Sequence, residues 1–68
     1  MKVTSFWKNG LKVFAFSVPG ALKVPRKYMG ELITHSNITI AAPDQITAER
    51  KHTTYFALGV AMGVYNGQ

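Results

Sequence analysis

Few residues in this 68-residue chain could do chemistry, and their spacing limits what that chemistry can be. The acids are Glu31, Asp44 and Glu49, and the histidines are His35 and His52. General acid–base catalysis needs titratable groups paired across a reacting atom, and these five are scattered with no pairing pattern. Two histidines with no carboxylate or thiolate beside them make a poor metal set, because protein zinc sites draw on three or four ligands, and the chain has no cysteine. No glycine-rich phosphate loop is present, and the Thr34 and Ser36 that flank His35 read as turn formers rather than nucleophiles. The expectation is a protein that is not an enzyme and holds no metal or cofactor.

What remains is positive charge interleaved with rings. "LKVPRKY" (Leu22 to Tyr28) collects Lys23, Arg26 and Lys27 on a segment stiffened by Pro25, with Tyr28 adjacent. Cations for phosphates beside a ring for a base is how a protein grips nucleic acid, although a short basic run is also simply solvated surface. Charge is unevenly placed along the chain: residues 1–30 hold Lys2, Lys8, Lys12, Lys23, Arg26 and Lys27 and no acid. Residues 31–68 set Arg50 and Lys51 against the three acids, 2 − 3 = −1, within a net charge of +5. A field of this kind raises encounter rates with polyanions or with acidic protein surfaces. The candidate contact set is Lys8, Lys12, Lys23, Arg26, Lys27 and Tyr28. Two partner classes follow: nucleic acid, bound largely without sequence specificity, or an acidic surface on a host protein, met by a small regulatory or inhibitory protein of viral type.

These residues must be carried by elements that the rest of the chain specifies. In "KVTSFWKNGLKVFAFSV" (Lys2 to Val18) the Asn9-Gly10 pair separates two runs rich in valine and aromatics, the strongest short-range signal for a β-hairpin. With Asn9 and Gly10 as the turn, Lys8 pairs with Leu11 and the register follows. One face then carries Val3, Ser5, Trp7, Lys12, Phe14 and Phe16, and the other Lys2, Thr4, Phe6, Lys8, Leu11, Val13, Ala15 and Ser17. The first is the expected core face.

Over about a quarter of the chain, "KVTSFWKNGLKVFAF" resembles the opening strands of cold-shock domains, which run in the manner of K-V-x-W-F-x-x-x-K-G-F-G-F. The resemblance implies base stacking on Phe6 or Trp7 and on Phe14 and Phe16, within a five-stranded barrel. The chain departs from that pattern: Ala15 stands where the glycine between the phenylalanines belongs, nothing matches the later D-V-F-V-H segment, and a long helix follows. The register also opposes it, since Trp7, Phe14 and Phe16 share the face needed for the core.

Pro19-Gly20 ends the second strand. Pro25 is suited to the first position of a short helix running to about Leu32 or Ile33, with Gly30 as a weakness in that reading. "NITIAAP" (Asn37 to Pro43) reads as a third strand stopped by Pro43. The remainder is one long helix, N-capped by Asp44 and stopped near Asn66-Gly67, whose stripe Ile46, Thr53, Ala57, Val60 and Val64 is expected to cover the hairpin. Beyond Thr54 this helix has no polar face. Tyr55, Leu58, Met62 and Tyr65 occupy one flank, and Gly59 and Gly63 form a shallow groove beside it.

Each glycine weakens a helix by about 1 kcal/mol relative to alanine, so a compensating close approach is expected there. A domain this small buries only about 60% of its unfolded surface and has no disulfides, so a second copy packed on Tyr55, Gly59, Met62 and Gly63 is the expected cover; a tight intramolecular fit is the other reading. The sequence thus predicts one small α+β domain over residues 1–68, a hairpin and third strand packed on a long C-terminal helix. No signal peptide is evident, and the uncharged stretch Thr53 to Gln68 falls short of the roughly 20 apolar residues that span a bilayer, so a cytoplasmic protein is expected.

Overall fold

The computed structural model describes residues 1–67 and runs β1 (Lys2–Lys8), β2 (Leu11–Val18), β3 (Arg26–Tyr28), β4 (Glu31–Ile33), β5 (Ser36–Ala41) and α1 (Gln45–Ala61). Asn9 and Gly10 reverse the chain with φ of 52° and 77°, the two left-handed residues that a type I′ turn requires. β1 and β2 pair antiparallel with Lys8 opposite Leu11, the register anticipated from the turn. β5 adds to the far side of β2 and completes a sheet of order β1-β2-β5. The architecture is therefore the expected α+β arrangement of hairpin, third strand and C-terminal helix.

Alternation along the strands sends Phe14 and Phe16 to one face, opposite Ile40 and Ile38 of β5. With Val3, Ala42 and Ala48 these side chains form the core; burying Phe16 alone is worth about 1.5–3 kcal/mol. Helix α1 lies over β5 and β2 and does not reach β1. For that reason Trp7, on the expected core face but at the far end of β1, stays 71% exposed. Lys12, on the same face, folds its ammonium over the Phe14 ring at 5.4 Å.

The helix begins as its sequence dictates. Asp44 has extended backbone and accepts the Thr47 amide at 2.8 Å, which satisfies one orphan N–H and holds the Asp44 carboxyl below its ordinary pKa. Its inward stripe differs from expectation. Ala48 and His52 are buried, Phe56 follows one turn later, and Ile46 is 65% exposed. Small and flat groups let the helix approach the sheet: His52 stacks on Phe16 with centroids 4.3 Å apart. Thr53, Ala57 and Val60, expected in the core, instead line an open groove of about 630 Å³.

The helix also ends earlier than expected, and the two glycines explain how. Gly63 takes φ +80° just past the last turn. The amide of Gly63 bonds the Val60 carbonyl at 3.1 Å, and that of Val64 bonds the Gly59 carbonyl at 2.8 Å, the paired bonds of a Schellman stop. Gly59 makes room for Tyr65, whose ring lies so close that a Cβ at residue 59 would meet it. That ring stacks on Phe56 with centroids 4.8 Å apart and planes 1° from parallel. The groove anticipated at Gly59 and Gly63 is therefore not open: one glycine is covered by the chain's own Tyr65, and the other is the helix stop.

The short helix anticipated over 25–33 is absent. In its place β3 and β4 form a second hairpin, with Arg26 opposite Ile33 and Tyr28 opposite Glu31. Met29 and Gly30 turn it with φ of 50° and 83°. A left-handed backbone at Met29 costs about 1–2 kcal/mol, which is why the sequence does not advertise the turn. This arm packs against no other strand or helix. It is tethered at its base, where the Leu22 amide bonds the Thr34 carbonyl at 2.8 Å and the Lys23 amide bonds the Val64 carbonyl at 3.1 Å. Asn66 closes the clamp, its backbone amide on the Ala21 carbonyl at 2.8 Å and its side-chain amide on the Gly20 carbonyl at 3.1 Å.

Candidate nucleic-acid interface

The base of the arm and the body of the molecule enclose a cleft of about 320 Å³. Arg26, Lys27, Tyr28 and Ile33 line it from the arm, His35 and Asn37 from the start of β5, and Leu22, Val64 and Tyr65 from the clamp below. Each wall is fixed by local structure. Arg26 and Tyr28, two apart on β3, share one face of the arm. Ser36 is buried, and its hydroxyl accepts the Val18 amide at 3.3 Å, which pins the first residue of β5 and so places His35 and Asn37 on either side of it. Tyr65 is held by the Phe56 stack.

Next to this cleft lies a second depression of about 290 Å³, lined by Lys2, Thr4 and Ser17 and again by His35 and Asn37. Lys2 sits opposite Ser17 on the uncovered sheet face, so the chain's first lysine joins the arm cations around the same two polar side chains. Residues 2, 26–28, 35–37 and 65 come together from four parts of the chain. Side chains here are mostly exposed, Tyr28 at 67%, and Glu31 across from Tyr28 is the arm's single acid.

The sequence-predicted contact set is split by the fold. Lys23, Arg26, Lys27 and Tyr28 gather at the arm. Lys8 and Lys12 sit by the Asn9-Gly10 turn on opposite faces of the sheet, at the other end of an 8-residue strand that spans about 26 Å. Lys12 pairs with Trp7 and is engaged with the Phe14 ring, and Lys8 lies on the other face. Sequence reasoning missed Lys2, His35, Asn37 and Tyr65 as parts of a site. Only the basic character of Lys2 was visible beforehand, since the others join through long-range pairing. Base stacking on Phe14 and Phe16, implied by the cold-shock resemblance, is unavailable because both rings are buried at 2% and 0% exposure.

The two histidines lie in different surroundings. His35 borders the arm cleft, whereas His52 sits between Phe16 and Phe56. Its Nε2 is buried without a hydrogen-bond partner, and burial lowers its pKa. The 630 Å³ groove beside His52 is larger than the arm cleft, but it is lined by Met1, Val18, Phe56, Ala57 and Val60 and carries no charged side chain. The arm cleft, rather than this apolar groove, is where charge, rings and hydrogen-bonding groups converge.

On the opposite flank of α1, Tyr55, Leu58 and Met62 are 52%, 54% and 78% exposed. Among the described residues no helix is long and apolar enough to cross a membrane. No family model, curated protein or solved structure matches the chain.

Proposed function

We propose that this chain is a small, non-enzymatic nucleic-acid-binding protein that makes contact through the arm cleft and pairs with a second copy through the Tyr55, Leu58 and Met62 flank of α1. The observation that carries the binding reading is the gathering of Arg26, Lys27 and Tyr28 on a cleft whose His35 and Asn37 also border the adjoining depression that holds Lys2. Cations at the rim bind phosphates irrespective of sequence, while a ring and a carboxamide within offer stacking and a hydrogen bond to a base.

Affinity for an oligonucleotide is then expected to fall with salt. If Lys2, Lys23, Arg26 and Lys27 each meet one phosphate, log K against log salt has a slope of about −3. Arg26→Glu with Lys27→Glu removes two of the four contacts and abolishes binding at moderate salt with the fold intact, because the arm packs on no other element. Unchanged binding by this variant in an anisotropy titration rejects the site.

A second reading, an acidic protein surface as partner, is favoured by one observation: Val24, Met29 and Leu32 are 75%, 88% and 63% exposed on and around the arm, and exposed apolar side chains in a group mark protein interfaces. Affinity capture with and without nuclease separates the two, since a protein partner survives nuclease and a nucleic-acid bridge does not.

A further inference from the structure

Resting on the nucleic-acid reading, we infer that the arm cleft takes up one unpaired nucleobase, so that the ligand is single-stranded DNA or RNA rather than duplex. The site is concave, and at about 320 Å³ it lies at the small end of the roughly 300–1,000 Å³ range of ligand pockets. A base inside a duplex is stacked and paired and cannot enter a concavity without being flipped out. Its lining matches the two surfaces of a free base. Tyr28 and Tyr65 offer rings to a base face; Asn37, with two donors and an acceptor, and His35 offer partners to a base edge.

Arg26 and Lys27 on one side and Lys2 on the other stand where the flanking phosphates of a bound strand run. The site itself offers nothing long enough to read a duplex. The major groove admits a helix or a two-stranded ribbon, but no residue of α1 lines the cleft. The strands of the arm are only 3 residues each, about 10 Å of ribbon.

The test is an anisotropy titration of the full chain with a labelled single-stranded 12-mer as DNA, the same sequence as RNA, and the DNA annealed to its complement, all at one salt concentration. Single strands are expected to bind at least tenfold more tightly than the duplex, with the DNA and RNA arms showing which sugar is preferred. Tyr28→Ala is expected to weaken single-strand binding roughly 5- to 150-fold, the worth of one stacked base. Asn37→Ala is expected to weaken it by about tenfold and to flatten differences among homopolymers. Both residues are exposed, so both variants fold. A 2-aminopurine placed in the strand is expected to be quenched on binding to the unmodified chain and not to Tyr28→Ala. Equal affinity for single strand and duplex, or single-strand binding indifferent to both substitutions, overturns the base-in-cleft inference while leaving nucleic-acid binding standing. Binding to none of the three probes overturns both.

Discussion

Gly59 is the position where substitution tests the packing most directly, because two effects of opposite sign meet there. Replacing a helical glycine with alanine gains about 1 kcal/mol in helix propensity. At Gly59 the added Cβ would lie 2.5 Å from Cε2 of Tyr65 and closer still to Cδ2. Overpacking costs about 1–3 kcal/mol, and so close an approach to two ring atoms puts this case at about 2–3 kcal/mol. The ring has no cheap escape, since it stacks on Phe56 and its backbone is bridged to Leu22. Gly59→Ala is therefore expected to destabilise the chain by about 1–2 kcal/mol, a fall of roughly 4–16 °C in Tm for a domain of this size.

In a Tyr65→Ala background the obstacle is gone, and the same substitution is expected to stabilise by about 1 kcal/mol. The sign reversal corresponds to a coupling of about 2–3 kcal/mol in a double-mutant cycle, read by urea denaturation followed by far-UV circular dichroism. If Gly59→Ala raises the Tm of the otherwise unmodified chain, the ring does not occupy the surface that glycine leaves bare, and the intramolecular account of this residue fails.

Protonation of His52 is expected to weaken the fold. Its folded-state pKa lies below the ordinary 6.5 because burial penalises the cation, so stability is full above about pH 6.5 and falls as pH drops below it, since the unfolded chain binds the proton more readily. Urea midpoints at neutral pH and near pH 5 check this, and His52→Leu should flatten the dependence. Asp44→Ala, which removes the bond to the Thr47 amide, should cost about 0.5–2 kcal/mol in the same assay. Met29→Asn, placing a residue tolerant of the left-handed backbone at φ 50°, should slow amide exchange in the arm by the equivalent of about 1 kcal/mol. Met62→Lys should reduce the mass measured by sedimentation from dimer to monomer, and a monomer at the outset refutes the proposed helix-flank interface.

What could be read in advance divides along the range of the interactions. The Asn9-Gly10 turn needs two left-handed residues and fixes its register by adjacency, so β1, β2 and their faces follow from local sequence. Asp44 is legible for the same reason, its partner being three residues away. The inward stripe of α1 departs from the expected one because hydrophobicity favours Ile46 and Val60, whereas close approach to the sheet favours Ala48 and the flat ring of His52. The arm is a hairpin and not the short helix the sequence suggests; its turn is hidden because Met29 sits where a tight turn ordinarily has asparagine or glycine. The candidate cleft was only half visible: its cations cluster in sequence, but Lys2, Asn37 and Tyr65 reach it through the β1–β2 and β2–β5 pairings and the bridge of Tyr65 to Leu22.

The glycines that first pointed toward a second copy instead link the core to the cleft. Stacked or tilted rings run from Phe16 through His52 and Phe56 to Tyr65, and Tyr65 ends that series as one wall of the cleft. The Schellman turn at Gly63 brings the chain back so that Tyr65 can lie on Gly59, and the same return places Val64 and Asn66 against residues 20–23 at the foot of the arm. The arm has no packing of its own on the sheet or helix, so its position depends on this clamp. A change at Gly59 or Tyr65 should therefore alter ligand affinity as well as stability, whereas Lys8 and Lys12 at the far turn should affect neither the clamp nor the cleft.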